Sequence, residues 1–381
     1  MGKIPVGVLG ATGMVGQQYL ALLARHPWFE AVYVAASPRS AGKTYREAVF
    51  GRWQHAASYN AEGQCWEYGG TYAPQVGDLT VEDAGNVEKA AELARKGKLS
   101  FVFSALEMDK DAVKSLEERY AAAGIPVVSN ASANRWTEDV PMLIPEVNGA
   151  HAGIIPAQRK KRGWDKGFIA VKPNCSIQSY MIPLFALLDK GYELKRVFVT
   201  TMQAVSGAGF PGVPSLNAID NVVPFIGGEE EKTEQEPLKI FGRVDNQEGK
   251  IVNAASPVIA AHCNRVPVTD GHTACVSVEF GAKKPGIDEV KKIWREFQSY
   301  PQRHALPMAP EHPIIVRDET DRPQPRKDRL VEKGMAVTVG RVRPCPLFDI
   351  RFVGLSHNTM RGAAGGGVLN AELLKEMGYI G

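Results

Sequence analysis

The sequence predicts an α/β fold divided into two domains. Near the start of the chain, Gly10, Gly13 and Gly16 lie between a short apolar run and a stretch with helical periodicity. After about residue 145, segments rich in Val, Phe and Thr replace the earlier alternation of strand-like and helix-like segments. A chain of 381 residues also exceeds what one ordinary hydrophobic core supports. These observations favour a Rossmann-type dinucleotide-binding domain joined to an α+β catalytic and dimerisation domain with a mixed, largely antiparallel sheet.

The first half of the chain alternates strands with helices. Residues 6–9 and 31–36 read as strands, and the helix between them has apolar residues at 19, 20, 22 and 23. Two further strands are predicted at 99–105 and 125–129, separated by an amphipathic helix at 110–123. This alternation is typical of a parallel sheet built from βαβ units.

The second half is predicted to contain mostly strands. A helix is expected at 177–188, and residues 306–329, with five prolines and many charges, are expected to form a surface or subunit-contact loop. Residues 361–377 read as a helix that packs back onto the first domain. We therefore expect one domain to comprise 1–145 with 356–381 and the other 146–355. The strands of this half are predicted at 168–171, 196–205, 274–280, 335–342 and 348–353.

Composition narrows the class of partner. Lys and Arg number 45 and Asp and Glu number 42, a net charge of +3 without a long block of like charge, so no nucleic-acid or anionic-membrane partner is expected. Apolar runs are too short for a membrane span, and the chain starts without a signal-peptide pattern, which favours a cytoplasmic protein. Five scattered cysteines favour reduced thiols over disulfides or a structural metal.

The glycine loop is a candidate cofactor site. Glycines at 10, 13 and 16 permit a sharp turn and close approach of the backbone to a pyrophosphate, which the N-terminus of the next helix would stabilise. Thr12, Met14 and Val15 belong to the same predicted contact surface. The alternative is a tight turn between strand and helix without a ligand.

The end of the second strand discriminates between nicotinamide cofactors. A carboxylate there would hold a ribose 2′-hydroxyl, whereas basic and hydroxyl groups would receive a 2′-phosphate. The sequence offers Ser37, Arg39 and Ser40, followed by Lys43, and no carboxylate. NADP is therefore favoured over NAD, although Arg39 and Lys43 could also be ordinary solvated charges.

A candidate nucleophile lies at Cys175, in the run Pro173-Asn174-Cys175-Ser176. This run ends an apolar segment and precedes a helix-like stretch, so the thiol should lie at a helix N-terminus. The helix dipole and unpaired backbone N–H groups there favour a thiolate and could also stabilise an oxyanion. The alternative is a small buried residue.

A His and an Arg follow in one short segment. Arg265 and His272 flank a turn made by Pro267 and Asp270-Gly271, so both could project into one cleft. His262 competes for the role of base, but His272, at the entry to a strand, is the better candidate.

Seven motifs, spread in order over nearly the whole chain, resemble the aspartate-semialdehyde dehydrogenase family. The proline-rich run Asp321-Arg-Pro-Gln-Pro-Arg326 is similar to one in the archaeal and fungal branch of that family. The seven motifs are Gly10-Ala-Thr-Gly13-Met-Val-Gly16, Pro173-Asn-Cys175-Ser, Gln203-Ala-Val-Ser-Gly-Ala-Gly209, Gly228-Glu-Glu-Glu-Lys232, Cys263-Asn-Arg-Val-Pro-Val268, Asp270-Gly-His272-Thr and His357-Asn-Thr-Met-Arg-Gly-Ala-Ala364.

The resemblance implies a role for each matching residue. It makes Cys175 the nucleophile and His272 the acid/base, and Gln203 is similar to the family's substrate-orienting amide. We also include Asn174, beside the cysteine, in the predicted catalytic set. The resemblance implies that Arg265 binds the substrate α-carboxylate and Glu229 its amino group, and that Arg135 and Lys232 bind phosphate. It places Ser104, Ala105 and Asn358 near the nicotinamide. The alternative for 229–232 is a charged surface, and Ile177-Gln178-Ser179 departs from the Thr-Ala-Gly that relatives often have.

The expected function is therefore NADPH-dependent reductive dephosphorylation of L-aspartyl 4-phosphate to L-aspartate 4-semialdehyde through a cysteine thioester, a step toward lysine, threonine and methionine. Aspartyl phosphate or aspartate semialdehyde and phosphate would be the small-molecule substrates, and a homodimer or homotetramer is expected. One alternative is a malonyl-CoA-type reductase of CoA thioesters. Another is a non-catalytic NADP-binding regulator.

Overall fold

The computed structural model describes residues 2–54, 58–60, 65–67 and 71–381, with the backbone alone for 58–60 and 65–67. The strands, in chain order, are β1 (Ile4–Leu9), β2 (Phe29–Ala36), β3 (Ser58–Asn60), β4 (Cys65–Glu67), β5 (Glu82–Asp83), β6 (Phe101–Ser104), β7 (Val127–Ser129), β8 (Ile169–Val171), β9 (Leu194–Gln203), β10 (Arg243–Asp245), β11 (Lys250–Val252), β12 (Val258–Arg265), β13 (His272–Phe280), β14 (Ile314–Val316), β15 (Val337–Pro344) and β16 (Ile350–Ser356). The α-helices are α1 (Met14–Leu23), α2 (Tyr45–Ala48), α3 (Pro74–Gly77), α4 (Val87–Arg95), α5 (Lys110–Ala122), α6 (Pro145–Asn148), α7 (Ile155–Arg162), α8 (Gln178–Asp189), α9 (Ser215–Ala218), α10 (Glu229–Ile240), α11 (Ile287–Glu296), α12 (Tyr300–Arg303), α13 (Pro325–Asp328) and α14 (Gly365–Glu376).

The first sheet is parallel and has the order β5-β2-β1-β6-β7-β8. The predicted βαβ alternation is confirmed. Leu9, at the end of β1, lies opposite Ala35 of β2 and Ser104 of β6. The loops that follow these three strands therefore meet at one edge of the sheet, the usual place for a ligand in such folds.

Strand β8 corrects one prediction. Its composition places residues 168–171 in the second sheet, but Ile169 pairs with Val127 of β7, so β8 is the sixth strand of the parallel sheet. Cys175 follows β8 by four residues, and the nucleophile loop therefore starts at the ligand-binding edge of the first sheet. The division of the chain at 145/146 and 355/356 stays a prediction.

The second sheet is mixed, as predicted, with the order β12-β9-β13-β16-β15-β14. Its β9-β13, β13-β16 and β16-β15 pairs are antiparallel, whereas β12 and β14 each pair in parallel with a neighbour. Strand β12 was not predicted. Residues 306–329 were expected to be irregular throughout, and here the prediction was wrong, because β14 joins the sheet and α13 forms one helical turn.

Helix α14 packs on the first domain, as expected. Val368, Leu369, Leu373 and Leu374 are buried in the same apolar core as Phe103 of β6. A π-helical segment, Met360–Ala364, precedes the helix and connects it to β16. The chain therefore returns from the second sheet to the first directly beside the nucleophile loop. Among the described residues, every helix is too short or too polar to serve as a membrane span.

Candidate active site

Cys175 lies in a turn between the first sheet and α8. The predicted helix is confirmed, but it begins at Gln178, so the cysteine is in the turn that leads into it. The side chain is half-buried. A Cβ placed on Gly362 would approach Cys175 Cβ to 2.7 Å, so this glycine allows the π-helical segment to pack against the nucleophile.

The imidazole of His272 faces the thiol. The distance between Cys175 Sγ and His272 Nε2 is 3.4 Å, and His272 is completely buried at the start of β13. Alternation along β12 separates the competing histidine from the site, because Cys263 and Arg265 are buried on one face and His262 is exposed on the other. The structure therefore brings His272 to the cysteine and directs His262 away from it.

A backbone hydrogen bond orients the ring. The Ala204 N–H donates to His272 Nδ1 at 3.0 Å. Because Nδ1 accepts this bond, the neutral ring carries its hydrogen on Nε2 and presents an N–H to the sulfur. Burial, and after it the charge of Arg265, lowers the pKa of His272 to about 3. In this arrangement His272 is a neutral hydrogen-bond donor.

The thiol is less acidic than the sequence suggests. Burial, and after it the carboxylate of Glu229, raises the pKa of Cys175 above its ordinary value. Lys172, Arg135 and Arg265 act in the opposite direction. The expectation of an easily ionised thiol at a helix N-terminus is therefore wrong for this state of the site, because desolvation outweighs the favourable charges.

Three predicted polar residues converge on one carboxylate. Glu229, the first residue of α10, accepts from Asn174 Nδ2 at 2.8 Å and from Gln203 Nε2 at 3.1 Å. Its other oxygen accepts from Lys232 at 2.8 Å. Burial would raise the pKa of Glu229, but Lys232 and the two amides outweigh it and hold this pKa below the usual range. Glu229 and Lys232 therefore join Asn174 and Gln203 in one hydrogen-bonded cluster, whereas Glu231 between them is exposed.

Arg265 reaches the same place from the last position of β12. It is paired in register with Gln203, the last residue of β9, and its Nη1 donates to the Ala204 carbonyl at 2.7 Å. A Cβ on Gly207 would lie 2.9 Å from Arg265 Nη1 and 3.0 Å from His272 Nε2. The segment after β9 that contains Gly207 thus covers both side chains. A larger residue at position 207 would force them to move.

The two predicted phosphate ligands already have carboxylate partners. Arg135 Nη1 donates to Glu236 Oε1 at 2.9 Å, its Nε to the Lys172 carbonyl at 3.0 Å and its Nη2 to the Asn130 carbonyl at 3.3 Å. Lys232 is bonded to Glu229, as described above. Binding of phosphate by this pair stays a prediction.

Two site residues were missed by the sequence analysis, Glu236 and Lys172. Glu236 is completely buried and accepts both from Arg135 and, at 2.6 Å, from the backbone N–H of Asn174, which precedes the nucleophile. Its spacing of seven from Glu229, two helical turns, could have indicated it. Lys172 could have been noticed because it is a charged residue directly after a buried strand and before Pro173.

The glycine loop forms a close-packed cradle before α1. Gly10 has φ of +75°, and a Cβ there would lie 2.3 Å from the Ala105 carbonyl oxygen. A Cβ on Gly16 would lie 2.2 Å from the Gly10 oxygen. Of the other predicted contacts, Gly13 is exposed and Thr12, Met14 and Val15 are half-buried, so the loop is open to a ligand from the helix N-terminal side.

The predicted 2′-phosphate contacts follow the neighbouring strand β2. Ser37 and Arg39 are exposed, and Ser40 is buried with its N–H bonded to the Ser37 carbonyl at 2.9 Å. Because β1 and β2 are adjacent and parallel, this turn lies at the same sheet edge as the glycine loop. The two halves of the predicted dinucleotide site are therefore brought together.

The remaining cofactor candidates differ in accessibility. Ser104 is completely buried, whereas its neighbour Ala105 packs against Gly10. Asn358 donates to Ser206 Oγ at 2.8 Å and accepts from the Gly271 N–H at 2.8 Å. Asn358 thereby links the segment after β9 to the residue before His272, and contact with a nicotinamide stays a prediction for all three.

In this fold a cysteine at the edge of a dinucleotide-type parallel sheet lies beside a histidine of a second, mixed sheet. This combination defines a thiol-dependent dehydrogenase. Residues 5–154 match the family model "Semialdehyde dehydrogenase, NAD binding domain", and residues 184–361 match "Semialdehyde dehydrogenase, dimerisation domain". The chain belongs to the aspartate-semialdehyde dehydrogenase family.

Full-length relatives support this assignment. The aspartate-semialdehyde dehydrogenase of Methanothermobacter thermautotrophicus is 45% identical over 98% of this chain and 99% of its own length. That of Aspergillus fumigatus is 43% identical over 99% of each chain. The crystal structure of aspartate semialdehyde dehydrogenase with NADP from Candida albicans has a TM-score of 0.82 and 37% identity, covering 97% of this chain and 98% of that one. The predicted archaeal and fungal resemblance is confirmed, and neither the CoA-thioester reductase nor the non-catalytic regulator is supported.

Proposed function

We propose that this chain catalyses NADPH-dependent reductive dephosphorylation of L-aspartyl 4-phosphate to L-aspartate 4-semialdehyde. The observation that carries the proposal is the 3.4 Å approach of Cys175 Sγ to His272 Nε2, where the dinucleotide-binding sheet meets the second sheet. Family membership gives the substrate class, and the cradle at Gly10 fits a dinucleotide. NADPH, when bound, supplies the hydride.

The cysteine acts as the covalent carrier of the acyl group. The Cys175 thiolate attacks the acyl carbon, an S–C bond forms, and the C–O bond to phosphate breaks. Reduction of the resulting thioester would place an oxyanion on the acyl carbon, and breakage of the C–S bond would then return the Cys175 thiolate and leave the aldehyde. This collapse returns the thiolate, and the one proton that the cycle consumes is taken up from solvent by the departing phosphate.

His272 stabilises the oxyanion in this scheme. Its Nε2–H faces the sulfur, and the same hydrogen is available to the oxygen of the carbon that the sulfur attacks. A neutral N–H donor in a buried site stabilises developing negative charge through a hydrogen bond, without proton transfer. The proposed role is thus closer to that of an electrophilic donor than to the acid/base role implied by the resemblance.

Charged residues on both sides of the cysteine suit an amino-acid substrate. Arg265 would bind the α-carboxylate, and Glu229, kept ionised by its partners, would bind the amino group. Arg135 and Lys232 would bind the phosphoryl group, with Lys232 exchanging its bond to Glu229 for the incoming dianion. Gln203 and Asn174 hold Glu229 in place for this exchange.

The proposal extends to assembly and location. The family model over 184–361 describes a dimerisation domain, which supports a homodimer, and a dimer of dimers is the finer possibility that we include. A cysteine nucleophile must stay reduced, and the described cysteines are free, which supports action in the cytoplasm.

The test is a direct assay of the reverse reaction. The purified protein is given L-aspartate 4-semialdehyde with phosphate and either NADP or NAD, and in parallel malonyl-CoA with NADPH. We expect phosphate-dependent reduction of NADP, a lower rate with NAD, and no oxidation of NADPH by malonyl-CoA. A rate independent of phosphate, or reduction of the CoA thioester, would contradict the proposal.

A further inference from the structure

Lys172 is a buried cation that the scheme above does not use. The residue follows β8, and its side chain is only 2% exposed. Its Nζ donates to the Pro173 carbonyl at 2.9 Å, the carbonyl that directly precedes Asn174 and Cys175. A lysine is rarely buried to this degree unless a neighbouring group needs its charge or its hydrogen bonds.

Glycines of one segment hold the lysine and the cysteine together. A Cβ on Gly362 would lie 2.7 Å from Cys175 Cβ, and a Cβ on Gly366 would lie 3.0 Å from Lys172 Cε. The two glycines are four residues apart, in the π-helical segment and the first turn of α14. Cys175 and Lys172 therefore pack against neighbouring positions of the same backbone, with little room to separate.

Two other cations close to the nucleophile are paired with carboxylates. Arg135 is bonded to Glu236, and Arg361 is bonded at 2.6 and 2.5 Å to both carboxylate oxygens of Glu146. Among the ion pairs of the described residues, Lys172 takes part in none. Its ammonium thus differs from these two guanidinium groups in being a positive charge that no carboxylate bonds among the described residues.

The thiolate has a matching need for positive charge. His272 presents an N–H to the sulfur but remains neutral, since burial and Arg265 oppose its protonation. Glu229 disfavours the thiolate. Of the three cations that favour the thiolate, Lys172 has a larger effect than Arg135 or Arg265, and in return Cys175 is the charged group that most favours the ammonium of Lys172.

We propose that the Lys172 ammonium is the buried counter-charge of the Cys175 thiolate, a positioning residue that acts through the nucleophile. The inference rests on the proposed role of Cys175 as the nucleophile. Burial lowers the pKa of Lys172 to about 7. Its charge is therefore present below neutral pH and is lost as pH rises, so in the native chain it supports the thiolate best near and below neutrality.

The test measures ionisation of Cys175 without using the enzymatic reaction. The full chain is treated with iodoacetamide over a range of pH, and mass spectrometry follows the rate at which the peptide containing Cys175 is alkylated. Lys172→Met removes the charge at similar volume and should slow alkylation of Cys175 about tenfold near and below neutral pH, where the native lysine is charged. Lys172→Arg keeps the charge at every pH used, and the apparent pKa of Cys175 in this variant should lie below that in the native chain.

A matched control separates this effect from loss of any buried lysine. Lys239 is 3% exposed, and its Nζ donates to the Arg135 and Thr137 carbonyls at 2.7 and 2.8 Å. Lys239→Met should leave the alkylation profile of Cys175 unchanged. If Lys172→Met does not fold, the lower apparent pKa of Cys175 expected in Lys172→Arg tests the proposal by itself.

Identical profiles in the native chain and the folded Lys172 variants would overturn the inference, and so would shifts in the opposite order. Because alkylation needs neither substrate nor cofactor, this result is independent of the assay for aspartate semialdehyde. A failed assay with the expected alkylation order would reject the proposed function and leave the ion pair standing.

Discussion

The backbone N–H of Ala204 donates to Nδ1 of His272 at 3.0 Å, and this bond determines how the imidazole serves the nucleophile. It leaves Nε2 as the hydrogen-bearing atom that faces Cys175 Sγ. Protonation of the ring would place a hydrogen on Nδ1 facing the Ala204 N–H, so that this hydrogen bond is lost. The buried charge would add a further cost. The site therefore combines a fixed neutral donor with cations held elsewhere.

Replacing the nucleophile should abolish most turnover. In Cys175→Ser, the hydroxyl cannot form an appreciable amount of alkoxide near neutral pH, and His272, as a donor, does not activate it. We expect kcat for phosphate-dependent oxidation of aspartate semialdehyde to fall by roughly three orders of magnitude or more. Thermal unfolding should be nearly unchanged, and activity near that of the native chain would exclude covalent thiol catalysis.

His272 should make unfolding sensitive to pH. The folded chain leaves this histidine unprotonated down to about pH 3, whereas the unfolded chain protonates it near its ordinary value of 6.5. The unfolded state thus binds an extra proton between these values, and the free energy of unfolding falls as pH falls from 6.5 toward 3.

This effect can be isolated with a substitution that never charges. Between pH 7 and 4.5, the free energy of unfolding of His272→Gln should fall by about 2 kcal/mol less than that of the native chain. Urea unfolding at each pH measures this difference. His262→Gln, at the exposed position on β12, is the matched control and should follow the native chain. Parallel pH curves for all three proteins would show that His272 is not held neutral.

Local sequence patterns predict those parts of the site that are formed by residues close together in the chain. The glycine loop is recognisable because Gly10 and Gly16 both lie where a Cβ would strike backbone. In contrast, composition predicts that 168–171 is a strand but contains no information on its partner, so β8 was placed in the wrong sheet. Glu236 escaped notice because its bond to the Asn174 N–H joins residues 62 positions apart, and only the fold shows that they meet.

Glu236 should matter for both stability and rate. Glu236→Gln leaves the buried Arg135 without its carboxylate and weakens the acceptor for the Asn174 N–H. Breaking one member of a buried ion pair typically costs about 3 kcal/mol or more, so urea unfolding should show a loss of this order. We also expect kcat to fall, because the turn that carries Cys175 loses one of its anchors.

A surface ion pair provides the comparison for this variant. Glu279 is bonded to Arg196 at the surface of the second sheet. Glu279→Gln should change stability and kcat little, because solvent replaces the lost interaction. If both glutamine variants behaved alike, Glu236 would have no special part in holding the nucleophile turn.

Arg265 should affect recognition of the amino acid more than the chemical step. Arg265→Ala removes the charge-assisted bonds proposed for the α-carboxylate, so KM for aspartate semialdehyde should rise about 100-fold with a smaller change in kcat. Arg196→Ala, an exposed arginine of the same sheet, should be indistinguishable from the native chain. An unchanged KM in Arg265→Ala would remove this residue from the substrate site.

The turn after β2 should set the preference for NADP. Arg39 is exposed beside the glycine loop, so its guanidinium is free to approach a 2′-phosphate. Arg39→Ala should raise KM for NADP about 10-fold to 100-fold and leave KM for NAD nearly unchanged, since NAD lacks that phosphate. Arg46 is the matched control, because it is exposed on α2 but paired with Asp78 at 3.0 Å, and Arg46→Ala should alter neither constant. Equal changes for both cofactors in Arg39→Ala would mean that the residue acts on the loop and not on the phosphate.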